Sequence, residues 1–177
     1  MLILLYIACA LAVLFVIFGF IALFAGPRGK GVSFVPTSRK RIETMLQLVG
    51  DVRGKRVVDL GSGDGRLVIA FASEGAEAHG YELNPVLVWL SRVRIILRGL
   101  QGRAHVHWGD YWRPDMSGFD IVVVYGFHST MRELEKKLKR ELSENALVLS
   151  NSFTFPTWVV AKEDGGIHMY RQGELSR

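Results

Sequence analysis

Cysteine is nearly absent: the chain has one among its 177 residues, Cys9, inside an apolar N-terminal run. Everything beyond that run therefore has no disulfide, thiolate metal site or cysteine nucleophile. Charge is missing as completely from residues 1–25, where no Asp, Glu, Lys, Arg or His occurs. Internal repeats and low-complexity tracts are lacking too. A length of 177 residues suffices for one core-forming domain and not comfortably for two. Apolar residues make up 49% of the chain, but the first run holds a disproportionate share, and the remainder has the balance of an ordinary soluble domain.

The segment LILLYIACALAVLFVIFGFIALF exceeds the roughly 20 apolar residues that cross about 30 Å of hydrocarbon as a helix. A secretory signal would have a basic start and an apolar stretch of only about 7 to 15 residues. This run has no basic start and is too long, so we expect a retained transmembrane anchor over residues 1–25. A buried core helix, apolar on every face, would need more surrounding protein than so small a domain supplies. Arg28, Lys30, Arg39, Lys40 and Arg41 follow the run and no charge precedes it. By the positive-inside rule this single-pass arrangement puts the domain on the cytoplasmic side, or the matrix side in a mitochondrion. The same cluster contributes to the net charge of +5 and suits anionic lipid headgroups. Arg98, Arg103 and the run Lys136, Lys137, Lys139 and Arg140 read as solvated basic surface. No recognition motif accompanies them, which argues against nucleic acid as a partner.

Residues 26–31 read as a short linker of glycine, proline and basic residues, and the domain is expected over residues 32–177. Thr37 or Ser38 caps a helix with Ile42, Met45, Leu46 and Val49 at helical spacing, ended by Gly50. Strands and helices then alternate. RVVDL, AEAHGYEL, AHVHWGD, DIVVVYGF and ALVLSNSF read as strands; RLVIAFASEG, PVLVWLSRVRIILRG and TMRELEKKLKREL read as helices. Such alternation predicts a parallel sheet with helices on both faces. WVVAK and IHMYR flank EDGG, a turn signal, and so predict a C-terminal antiparallel hairpin. The expected fold class is α/β: a Rossmann-like sheet, mostly parallel and finished by a hairpin, as in class I methyltransferases, preceded by one transmembrane helix.

The strongest local signal is VVDLGSGDGR, residues 57–66. It places Asp59 at the end of a buried strand, followed by Gly61, Ser62, Gly63 and Gly65. Glycines let the chain turn tightly and let a ligand approach the backbone, while the next helix offers free amides. A nicotinamide dinucleotide would favour G-x-G-x-x-G, with its pyrophosphate at the helix end. The spacing here is G-x-G-x-G, and Asp59 suits a cationic group, as in the amino-acid end of S-adenosylmethionine. Glu82 ends the second strand roughly twenty residues beyond the loop, where an acid reaches ribose hydroxyls in such folds. Asn84 and Pro85 read as the cap and first residue of the next helix. Asp110, in WGDYW, is placed to accept from an adenine amino group, with Trp108, Tyr111 or Trp112 available to stack or to join the core. His105 and His107 lie two apart on one strand face, a spacing compatible with metal, but no third ligand is signalled nearby. No metal site is expected.

Taken together, FVPTSRKRIETML, VVDLGSGDGRLVIA, GYELNPVLVWLSR, GDYW, LEKKLKRELSENA and FTFPTW resemble a small family of membrane-anchored protein-lysine methyltransferases. Its best-known members modify mitochondrial adenine nucleotide translocase and the c-ring protein of ATP synthase. GSGDGR is common to many methyltransferases; FVPT, GYELNPVLVW and F-x-F-P-x-W are more telling. The resemblance covers nearly all of the soluble domain. It implies S-adenosylmethionine as cofactor and a lysine of a membrane protein as acceptor. One departure stands out: after the fourth strand this chain reads YGFHSTM, where the family's animal members carry a proline and a glutamine near His128 and Ser129.

Methyl transfer to an amine is an in-line displacement that mainly requires positioning and exclusion of water. The lysine must be neutral, which an apolar, aromatic channel favours. Tyr125, Phe127, Phe153, Phe155 and Trp158 are candidates to line it or to serve as core, and His128 is a candidate base or a loop-packing residue. An N-P-P-Y-type tetrapeptide, expected of many adenine N6 enzymes, does not occur, and cytosine C5 chemistry needs the missing cysteine. A small-molecule or lipid-like acceptor remains an alternative, as does a noncatalytic S-adenosylmethionine-binding scaffold.

Overall fold

The computed structural model describes residues 2–24, 36–126 and 128–174, with side chains of the first helix described up to Gly19. The expected linker at 26–31 and Phe127 lie outside the described residues. The first helix, α1 (Leu2–Phe24), has 23 residues and no charged side chain. It is long and apolar enough to cross a membrane, and its most hydrophobic window, Leu2–Gly19, is 0% buried against the rest of the chain.

Ser38 caps α2 (Arg39–Val49), its hydroxyl accepting from the Arg41 amide, and Gly50 closes the helix at φ 79°. The alternation then runs β1 (Arg56–Leu60), α3 (Arg66–Ser73), β2 (Glu77–Glu82), α4 (Pro85–Leu97), β3 (Ala104–Trp108), β4 (Ile121–Val124), α5 (His128–Glu141) and β5 (Leu147–Asn151). The hairpin β6 (Lys162–Asp164) and β7 (Ile167–Arg171) follows. Together the strands form one sheet in the order β3-β2-β1-β4-β5-β7-β6. The first five strands are parallel, and β7 runs antiparallel to both β5 and β6.

Side-chain alternation divides the interior in two. Val57, Ile121, Val123, Leu149 and Met169 face α2, α3 and α4, whereas Val58, Val122, Val124, Val148 and Tyr170 face α5. This period of two follows from the pleat, and a one-residue slip would reverse both faces. Asn84 accepts from the Val86 amide and Pro85 opens α4, as the Asn-Pro pair predicts.

The hairpin exists, but its first strand is shorter than WVVAK suggests. Residues 158–161 lie outside any strand, and pairing begins at Lys162. Trp158 is buried, and its indole donates to the Arg171 carbonyl at 3.2 Å. The chain enters the hairpin pinned by that side chain. Gly165 and Gly166 both take positive φ, 55° and 75°, as a two-residue turn between right-twisted strands requires.

Candidate cofactor and acceptor site

In an open parallel sheet, ligands bind outside the C-terminal strand ends, at the point where strand order reverses. Here that point lies between β1 and β4, which continue toward opposite edges of the sheet. Register brings the relevant ends level, with Leu60 paired to Tyr81 and to Val124, Glu82 to Trp108, and Val124 to Ser150. Asp59, the glycine loop, Glu82 and Asp110 are thus gathered from three strands at one edge.

The glycine loop is held from below and from the side. Its Gly61 and Ser62 amides both donate to the Tyr81 carbonyl at 3.0 Å. Gly65 has φ 75°, and an added Cβ would meet Ser91 Cβ and Oγ at 2.8 Å, so glycine is required there both by conformation and by the approach of α4. The Ser62 side chain is buried beneath the loop beside Gly80, and its hydroxyl has no hydrogen-bond partner among the described residues. Ser62 therefore faces the sheet through its side chain and the loop through its backbone.

Glu82 braces this arrangement. One carboxylate oxygen accepts from the Gly63 amide at 2.9 Å and the other from the Asn84 amide at 2.8 Å, joining the loop to the start of α4. Each oxygen retains a further lone pair for a ligand hydroxyl. Asp110 is half-buried and accepts from the Trp112 amide at 3.0 Å. Trp108 is exposed, and its indole donates to the Leu83 carbonyl.

Asp59 is 5% exposed. Burial, with the Glu82 and Asp64 carboxylates pushing the same way, raises its carboxyl to about 8. A buried carboxyl raised in this way is poised to receive a cation. It also has a consequence for stability. The folded, ligand-free protein keeps a proton on Asp59 that the unfolded chain has already lost, so stability is full below the unfolded carboxyl value and falls as pH rises toward about 8. The slope is at most about 1.4 kcal/mol per pH unit. Asp59→Asn is expected to flatten that decline, leaving the variant more stable than the wild type at alkaline pH. Unfolding curves at a series of pH values check this, and equal slopes for both proteins would contradict it.

Two arginines escaped the sequence reading. Arg66 makes a two-pronged bond to Asp64, Nε to Oδ1 at 2.9 Å and Nη2 to Oδ2 at 2.8 Å, and donates to the Thr37 carbonyl. Arg94 of α4 also donates to Asp64. Burial alone would raise Asp64, but these two arginines outweigh it and hold the carboxyl at about 2. Farther along the edge, Arg41 donates to Asn151 and to Ser152, and the Asn151 amide reaches the Thr37 hydroxyl. Thr37 thus ties the segment before α2 to the glycine loop and to the end of β5. The D-G-R spacing in GSGDGR signalled the first of these contacts; the others join segments far apart in the chain.

The acceptor-side candidates divide by burial. Tyr125, just beyond β4, and Phe153, just beyond β5, are half-buried, and His128 is the exposed first residue of α5. Phe155 and Trp158 are buried in the α5-side core with Tyr170, ring centroids 5.0 to 5.7 Å apart. In this structure the three rings pack against one another. His107 and His79 lie within 3.1 Å of each other, and His79 also contacts Glu77, so the histidines are engaged with neighbouring side chains. Among the described residues no group of three or more His, Cys, Asp or Glu is arranged to hold a metal ion.

Residues 59–162 match the family model described as the ANTKMT methyltransferase domain. The chain is 46% identical over 125 residues to the human lysine N-methyltransferase named for the c-ring protein of ATP synthase, an alignment covering 71% of this chain and 53% of that protein. It is 30% identical over 153 residues to a protein-lysine N-methyltransferase of Saccharolobus islandicus, covering 81% of this chain and 95% of the other. Among solved structures, an RNA methyltransferase of Salinibacter ruber in complex with S-adenosyl-L-homocysteine superposes with a TM-score of 0.72 at 32% identity, covering 80% of this chain and 97% of that one. The chain spans about half the length of the animal relatives it matches. The strand order, the strand-end acids and these similarities converge: the chain belongs to the ANTKMT methyltransferase domain family and has the class I methyltransferase fold.

Proposed function

We propose that the chain is an S-adenosylmethionine-dependent protein-lysine N-methyltransferase, anchored by α1, whose acceptor is a lysine of a membrane protein. The observation that carries this reading is the buried Asp59 beside the glycine loop and Glu82, in a chain of this family. The anchor reading assigns residues 1–25 to the membrane, 26–31 to a linker and 32–177 to a domain on the cytoplasmic or matrix side.

The residues present fit the cofactor. Gly61 has φ 86°, and among the described residues an added Cβ there would meet nothing within 4 Å. Asp59 is a buried carboxyl that gives up its proton on receiving a cationic amino group, Glu82 offers carboxylate oxygens to ribose hydroxyls, and Asp110 offers an acceptor to an adenine amino group. When bound, the cofactor supplies an activated methyl group to a neutral amine. Tyr125 and Phe153 flank the acceptor side with aromatic surface that disfavours the ammonium form of the incoming lysine. His128, exposed at the start of α5, is the candidate to take up the amine proton, with solvent as the alternative route. Thr37, bonded through its carbonyl to Arg66 and through its hydroxyl to Asn151, holds the start of α2 beside the loop.

Incubating the full chain and methyl-labelled cofactor with membranes from a strain lacking the gene, followed by mass spectrometry, tests this reading. The expected product is a methylated lysine in an integral membrane protein. Label recovered in RNA would assign the activity named for the Salinibacter structure, and label extracted with lipids or small molecules would replace the protein acceptor.

A further inference from the structure

Helix α4 is apolar on two sides, and only one is used by the fold. Leu87, Val88, Ser91 and Ile95 are buried against the sheet and α3. The opposite side presents Trp89, Val93, Ile96 and Leu97, spaced as one helical stripe. Trp89 and Ile96 are each 57% exposed and Leu97 is 80% exposed. Trp108, at the adjacent end of β3, is 68% exposed. No acidic residue occurs in α4; its charged residues are Arg92 and Arg94, at the margins of the stripe, and Arg98 caps its C-terminus. Exposed apolar surface of this extent on one element marks an interaction site.

Two observations select the occupant. First, among the described residues α1 approaches the domain beside α4. Yet α1 does not cover the stripe, because the exposures above persist beside it and the apolar window of α1 remains 0% buried. Second, tryptophans and aliphatic residues with an exposed arginine, Arg98, at the helix end and no acid suit the headgroup layer, where indoles favour the interface and cations favour anionic lipid; Arg92 and Arg94 are turned to the Val106 carbonyl and to Asp64. We propose that the outward face of α4 rests in the interfacial layer of the bilayer that α1 crosses. The proposal rests on reading α1 as a membrane span. Because Glu82 and Asn84 join the first turn of α4 to the glycine loop, this docking fixes the site's height above the bilayer. A lysine near the membrane surface is then within reach, and one far from it is not.

The single cysteine makes the test direct. In a Cys9→Ser background, nitroxide labels are placed at Ile96→Cys and, on α5 across the sheet, at Lys136→Cys. The native Cys9 is labelled separately. All are measured in vesicles of phosphatidylcholine and phosphatidylglycerol by relaxation with oxygen, which enriches in lipid, and with a water-soluble nickel chelate. The expected result is an oxygen-to-nickel accessibility ratio several-fold higher at Ile96 than at Lys136, and high at Cys9. Leu97→Cys repeats the measurement if Ile96→Cys fails to fold. A water-like label at Ile96 with Cys9 in lipid overturns the docking and leaves the span standing. Shielding of Ile96 from both reagents would show a protein surface there, α1 or a second copy, and would also overturn the docking. A water-exposed Cys9 overturns the span and the docking with it.

Discussion

Gly80→Ala is expected to cost the domain about 1–3 kcal/mol, the usual range for overpacking a tight interior. Cofactor affinity should fall at least about tenfold, because misplacing a binding loop by a fraction of an ångström loses charge-assisted contacts. Gly80 lies in the middle of β2, and its backbone conformation is ordinary. The constraint is contact: an added Cβ would meet Ser62 Cβ and Oγ at 2.6 Å and Val68 Cγ2 at 2.8 Å. Val68 is fixed in the core of α3, so the loop carrying Ser62 is the part that yields. Moving Ser62 outward displaces Gly63 and disturbs its bond to Glu82. Adding Ser62→Gly to the same chain removes the nearer of the two obstructing side chains, leaving Val68, and is expected to restore part of the affinity, a non-additive effect of the kind seen between residues in contact. Denaturation and calorimetry on the two single variants and the double variant check this. Independent, additive losses would show that Ser62 and Gly80 do not act through each other.

That contact also shows what a sequence can and cannot disclose. The strands and helices were legible because their apolar periods are local: VVDL and IVVV run unbroken where the sheet is covered on both faces, and Asn84-Pro85 marks a helix start by its own chemistry. Asp59 and Glu82 were legible as acids at the ends of β1 and β2, where ligands bind in this topology. Ser62 reads in the sequence as a member of the glycine loop, and only strand pairing reveals that its side chain points toward Gly80. The tie from Thr37 to Asn151 joins residues 114 apart in sequence. No spacing rule reaches that far. Phe155 and Trp158 read as channel or core alike, and their contact with Tyr170 is visible only in the structure. The hairpin was legible from EDGG, but WVVAK looks like a strand because it is apolar and β-branched; in the structure Trp158 is buried and strand pairing begins only at Lys162. The outward stripe of α4 was hidden for a related reason. A helix with apolar residues on two sides does not disclose in its sequence which side is buried, and exposure is visible only once its neighbours are placed.

The central claim is that the strand-end acids and the glycine loop form an S-adenosylmethionine site, and calorimetry on the full chain in detergent micelles measures it. S-adenosylhomocysteine is expected to bind one to one, and NAD is not, because the third glycine of the loop is off the spacing of a dinucleotide turn. Glu82→Ala should weaken that binding by about 1–3 kcal/mol, the range for a lost charge-assisted bond, while the thermal transition remains cooperative. A folded chain with no affinity for S-adenosylhomocysteine, or one that binds NAD in preference, would contradict the assignment of the site.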